Sequence, residues 1–158
     1  FIYCILVSLA ISPCPAIGAD YMKGVIAAMD GDYERAYKEW KPLAQQDEAT
    51  PQFQVGWLFE YGFGVSKNYE EAFFWYQQAS ENGYAYAQTA LGRMYEFGRG
   101  VRQDHKKAYM WYSIALELWD PTAGKHKTDL SARMTADQIT NAKMMKAKGI
   151  QAKFKGCS

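Results

Sequence analysis

Ala87-Gln88-Thr89-Ala90-Leu91-Gly92-Arg93-Met94-Tyr95-Glu96-Phe97-Gly98-Arg99-Gly100-Val101 is the stretch that decides how this chain folds. Small and apolar residues recur at helical spacing as far as Phe97, and the Gly98-Arg99-Gly100-Val101 string stops them, because glycine reaches positive φ without steric cost. The same outline stands 36 residues earlier, where Gly56 matches Gly92. That offset also joins Ala49 to Ala85, Gln52 to Gln88, Glu60 to Glu96, Gly62 to Gly98, Gly64 to Gly100 and Val65 to Val101. It continues through Ala72 and Ala108, Trp75 and Trp111, Tyr76 and Tyr112, and Ala79 and Ala115. One unit further back, Tyr33 precedes Tyr69, Ala36 precedes Ala72 and Trp40 precedes Tyr76 by the same step. A fixed period of this length is the signature of a stacked repeat and overrides element-by-element assignment.

Each unit reads as two helices. In the middle copy the first spans residues 51–61, with Pro51 in an opening turn where its missing amide goes unnoticed. Gly62-Phe63-Gly64-Val65 breaks it. Asn68 caps the second helix with Glu71 at the capping-box position, and Asn82-Gly83 ends it after about Ser80. The third copy repeats this with residues 87–97, the second glycine turn and Asp104 as cap, while in the first copy Asp32 caps and the turn shrinks to Asp30-Gly31. A glycine inside a helix costs about 1 kcal/mol relative to alanine. Two of them at one repeat position, Gly56 and Gly92, therefore predict close approach of a neighbouring helix. Ala72, Ala79, Ala108 and Ala115 face that contact, and the pairs Trp75-Tyr76 and Trp111-Tyr112 fill the gaps between units.

The quoted stretch, followed by Asp104, Ala108, Trp111-Tyr112 and Ala115, resembles the Sel-1-like repeat, an α-solenoid module related to the tetratricopeptide repeat. The Gly-x-Gly-Val turn and the 36-residue period separate it from the 34-residue tetratricopeptide unit. Gly24, Ala27, Gly31-Asp32-Tyr33, Ala36, Trp40 and Pro42-Leu43-Ala44 resemble a degenerate opening unit of small bacterial members. Residues 130–135 with Gln138-Ile139 resemble their ending. Asn68 in place of the usual Asp, and Trp57 after Gly56, depart from the pattern. The expected architecture is all-α: a solenoid of stacked antiparallel helix pairs with a C-terminal capping helix. It divides into a signal peptide at 1–19, a degenerate unit at 20–48, full units at 49–84 and 85–120, and capping helices with a basic tail at 121–158.

Residues 1–11 form an apolar run without a charge, and Ala16, Gly18 and Ala19 offer a small-residue cleavage site. The run is shorter than the about 20 residues that span a bilayer. Export to the periplasm or medium is the expectation, with a retained anchor or a buried helix as alternatives. Phe1 opens the chain without Met or a basic n-region, which implies a clipped start. Cleavage would remove Cys4 and Cys14 and leave Cys157, so no internal disulfide or cysteine pair of metal-ligand spacing is expected.

Of 158 residues, 49% are hydrophobic and 16% aromatic, enough for a core and far too many for disorder. Eighteen basic against 17 acidic residues give a net charge of +1, which argues against a nucleic-acid-coating protein. The charge is uneven, however: residues 20–120 hold ten Lys/Arg and fifteen Asp/Glu, whereas residues 121–158 hold eight and two. A basic tail of that kind can touch anionic lipid or an acidic partner, although a solvated terminal helix is the plainer reading. There Thr135 and Gln138 form a capping box, and Ile139, Ala142, Ile150 and Phe154 suggest an inward stripe interrupted by Lys143 and Lys146. Packing is expected at the start of this helix and fraying past Gly149.

No catalytic constellation is legible. His105 and His126 lack a metal-site context, and Gly62-x-Gly64 and Gly98-x-Gly100 lack the third glycine of a nucleotide cradle. No Ser-x-x-Lys or Gly-x-Ser-x-Gly occurs. Glu60 and Glu96, one per unit, read as repeat-surface residues rather than an acid/base pair. No catalytic residue, cofactor or metal is therefore expected. First helices line the inner surface of such a stack. Gln54, Trp57, Glu60 and Tyr61, with Arg93, Glu96 and Phe97 of the next unit, are the expected groove for an extended peptide or protein segment of unknown identity. The resemblance implies an adaptor function, while some cysteine-rich relatives are associated with β-lactam binding or hydrolysis. An envelope structural protein resting its tail on anionic lipid is the third possibility.

Overall fold

The computed structural model describes residues 17–155, and every regular element among them is a helix. In order these are α1 (Ile17–Met29), α2 (Tyr33–Ala44), α3 (Ala49–Tyr61), α4 (Tyr69–Glu81), α5 (Ala85–Phe97), α6 (His105–Glu117), α7 (Pro121–Ser131) and α8 (Ala136–Lys155). The signal-peptide expectation falls largely outside the described residues, as do Cys4, Cys14 and Cys157. Helices pack in pairs, α1 on α2, α3 on α4 and α5 on α6. Each pair stacks on the next through α2 against α3, α4 against α5 and α6 against α7. The expected all-α solenoid is what forms.

The 36-residue period is visible in the helix ends. Glu48, Tyr84 and Asp120 are the N-caps of α3, α5 and α7, and Gly62 and Gly98 close α3 and α5 in left-handed geometry with φ of 75° and 66°. The first helices start two residues earlier than expected, leaving Pro51 inside the first turn, where amides have no intrahelical acceptor anyway. Asn68 accepts from the amides of Glu70 and Glu71. The reciprocal arm of that capping box is missing, because the Asn68 amide donates to the Phe59 carbonyl instead. Thr135 and Gln138 close both arms of theirs. The second helices end at one recurring position with positive φ: Asp47 (61°), Gly83 (82°) and Trp119 (68°).

Packing explains the mid-helix glycines. A Cβ on Gly56 would lie 2.8 Å from the Tyr76 ring, and one on Gly92 would lie 2.5 Å from Cδ1 of Tyr112. Gly24 meets the Trp40 ring in the same way, so each of the first three pairs seats a second-helix aromatic on a first-helix glycine. The turn glycines serve between pairs. Gly64 and Gly100, both at φ +66°, lie against the backbone of Tyr33 and Tyr69, where the preceding unit's second helix begins. Ala72, Tyr76, Ala79, Ala108, Tyr112 and Ala115 are fully buried, with Trp75 and Trp111 half-buried beside them.

The C-terminal pair departs from the repeat. Helix α7 keeps the register of α5, but α8 lies on α6 rather than pairing with α7. Ala142, Ile139 and Met134 complete a core with Tyr109, Tyr112, Ala115 and Leu130. The helical backbone of α8 runs through Gly149 to Lys155. The side chains of Ile150 and Phe154 lie outside the described ones.

Candidate functional site

Along the odd-numbered helices runs a cavity of about 340 Å³. Phe53, Trp57 and Tyr61 of α3, Tyr86 and Arg93 of α5, and His126 of α7 form its walls. The 36-residue step runs from Gln54 through Ala90 to His126, which explains why α7 supplies a groove residue. Asp120, 1% exposed, sits at the floor, with its carboxylate taken by the Thr89 hydroxyl at 2.5 Å and by the Thr122 amide and hydroxyl. Trp57 also borders a second cavity of about 280 Å³ with Val25, Met29 and Tyr33. Its ring stands 6.1 Å from Tyr33, 5.4 Å from Tyr61 and 5.0 Å from Phe63, and Tyr33 stacks on Phe63 at 4.8 Å. Trp57 is thus both groove wall and packing residue, half-buried in an aromatic cluster whose outer members, Tyr61 and Phe63, are 44% and 37% exposed.

Two of the expected groove residues are corrected. Glu60 and Glu96 are not surface positions but are 2% and 4% exposed. Each stands four residues after a mid-helix glycine, on the face that meets the second helix. Tyr76 donates to Glu60 at 2.7 Å and Tyr112 to Glu96 at 2.6 Å. The guanidinium of Arg93, one unit on, grips both Glu60 oxygens at 3.1 and 2.9 Å, and Arg99 adds an ion pair at 3.5 Å. Arg133 plays the same part for Glu96 from the C-terminal cap. Donors on every side satisfy these carboxylates, which is the condition for burying a charge. Burial pushes the Tyr76 and Tyr112 hydroxyls well above the ordinary phenol range, and the neighbouring carboxylates add to it. For Arg93, burial works against the charge, but Glu60 and Tyr61 outweigh it and the guanidinium is held above its usual value.

The remaining expected residues divide. Gln54 donates to the Tyr21 hydroxyl at 3.1 Å and ties α3 to α1. Tyr61 lies within 3.5 Å of Arg93, at the mouth of the groove. Phe97 is 53% exposed, beneath the Arg99 guanidinium at 5.3 Å. Phe53, Phe63, Tyr86 and His126 were not among the expected groove residues. Carrying the period into residues 121–131 finds His126, and nothing in the spacing singles out the others.

The Sel1 repeat family matches residues 52–84 and 85–118. No curated protein matches the chain. Among solved structures, a protective antigen present in uropathogenic Escherichia coli strains and displaying an SLR fold superposes with a TM-score of 0.77 at 26% identity over 84% of this chain. A Sel1 repeat protein from Oxalobacter formigenes gives 0.64 at 30% identity over 68%. The chain spans 29% and 46% of the length of those two proteins. Tandem matches in register with the glycine–aromatic pairs, on a fold shared with solved members, identify the chain as a Sel-1-like repeat protein.

Proposed function

We propose that this chain is a non-catalytic scaffold that holds an extended protein segment in the groove of α3, α5 and α7, and that it works outside the cytoplasm. Sel1-repeat proteins are typically protein–protein interaction scaffolds. The observation that carries the reading is an open cavity that Trp57, Tyr61 and Tyr86 line together with Arg93. Aromatic and Arg side chains dominate interface energies, and the two bonds to Glu60 orient Arg93 in advance. Glu60 and Glu96 are engaged by their Tyr and Arg donors, which speaks against their service as a general acid and base. The apolar run of residues 1–11 and the small residues after it support export to the periplasm or medium.

In-cell cross-linking followed by affinity capture tests the groove. Trp57→Ala is expected to reduce recovery of the main cross-linked protein by about tenfold or more. Phe74→Ser, at an exposed position on α4, is expected to leave it unchanged. Equal recovery by both variants removes the groove from the function, and turnover of nitrocefin by the pure protein overturns the non-catalytic reading.

A further inference from the structure

Asp47, Gly83 and Trp119 hold one repeat position, and the backbone there has φ of 61°, 82° and 68°. Glycine takes that conformation freely and Asp tolerates it, whereas a bulky residue in it is strained. A bulky residue kept in that conformation with its side chain in solvent points to use. At Trp119 the turn is closed by the Asp120 amide donating to the Ala115 carbonyl, while the side chain stands 92% exposed. Leu116 and Leu118 beside it are 42% and 45% exposed, so the α6–α7 turn ends in a protruding apolar tip.

Basic side chains stand on α7 and α8, the two helices packed against the end of the repeat on α6. Lys146 of α8 bonds Glu117, two residues before Trp119, and Lys127 and Lys143 line the same cavity as that pair. Lys125 is exposed one turn into α7, and Lys148 is exposed on α8. The nearby acids are spoken for: Glu117 by Lys146, and Asp120 by burial and its threonine donors. Asp129 and Asp137 lie at the opposite ends of their helices, in the last turn of α7 and the first of α8.

We propose that Leu118 and Trp119 form an anchor that seats this end of the solenoid on an anionic phospholipid surface. The indole enters the headgroup region first with Leu118 beside it, and the lysines of α7 and α8 face the phosphates. Tryptophan favours that interface, and basic side chains beside it add attraction to anionic lipid. A deformable phase suits a convex tip. A protein partner would have to supply a matching pocket, and the basic side chains of α7 and α8 select an acidic surface. The site is separate from the groove, so either can fail alone.

Sedimentation with vesicles of phosphatidylcholine and phosphatidylglycerol, roughly three to one, tests it against pure phosphatidylcholine. The whole chain is used throughout, so residues 1–11 contribute equally to every variant. Trp119→Gly installs the residue that suits the backbone, so it is expected to melt no lower than wild type while partitioning about tenfold more weakly. Lys143→Gln with Lys148→Gln is expected to weaken binding by roughly fivefold per lysine and to flatten its salt dependence. Equal partitioning of wild type and Trp119→Gly, or no preference of wild type for the anionic vesicles, overturns the proposal. So does a Trp119→Gly variant that keeps its lipid binding and instead loses a cross-linked protein.

Discussion

At the residue scale, the repeat shows itself where one side chain must be absent for another to fit. Gly92→Ala would drive a methyl group into the Tyr112 ring, an overpacking cost of roughly 1–3 kcal/mol against the about 1 kcal/mol that alanine regains in a helix. Gly56→Ala meets Tyr76 at 2.8 Å, a milder overlap. Thermal melts are expected to rank wild type above Gly56→Ala and that above Gly92→Ala. Glu60→Ala leaves the Tyr76 hydroxyl and Arg93 without their acceptor. The loss is expected at about 2–4 kcal/mol by denaturant titration, below the usual figure for a broken buried pair because Arg93 is 27% exposed. The glycines were legible because their helix cost demands a neighbour. The glutamates were misread because a carboxylate alone reads as solvated, and only its Tyr sixteen residues on and its Arg one unit on make it a core group.

At the element scale, the caps of the second helices were plain in the sequence and those of the first helices were not. Asp104 is bonded to the amides of Lys106 and Lys107, and Asp104→Ala is expected to cost about 1 kcal/mol. Glu48 caps α3 without a side-chain bond and leaves a carboxylate oxygen buried and unpartnered. Glu48→Ser supplies a capping hydroxyl and removes that oxygen, so it is expected to raise the Tm by roughly 2–4 °C in calorimetry. The placement of α8 was beyond spacing alone. Ala142 and Ile139 show which face is apolar, but that this face meets Tyr109 and Tyr112 of α6 is not written in their spacing.

At the scale of the whole molecule, stability is tied to two buried phenols whose surroundings favour the neutral form. Tyr76 and Tyr112 are held above their ordinary value of 10.0, so the folded chain keeps protons that the unfolded chain releases there. Their contribution is complete below pH 10 and declines as the pH rises beyond it, with a limiting slope of about 1.4 kcal/mol per pH unit for each. Urea titrations from pH 8 to 11 are expected to show that decline, and the Tyr76→Phe, Tyr112→Phe double variant to be less stable at pH 8 yet flatter above pH 10. The Arg-to-Glu clasp also has a bearing on how such chains change size. Arg133 greets Glu96 as Arg93 greets Glu60, so the closing segment presents the same handshake that another link would. Copying residues 85–120 once more should lengthen the rod with every clasp filled, which makes growth by gene duplication possible without redesigning either end.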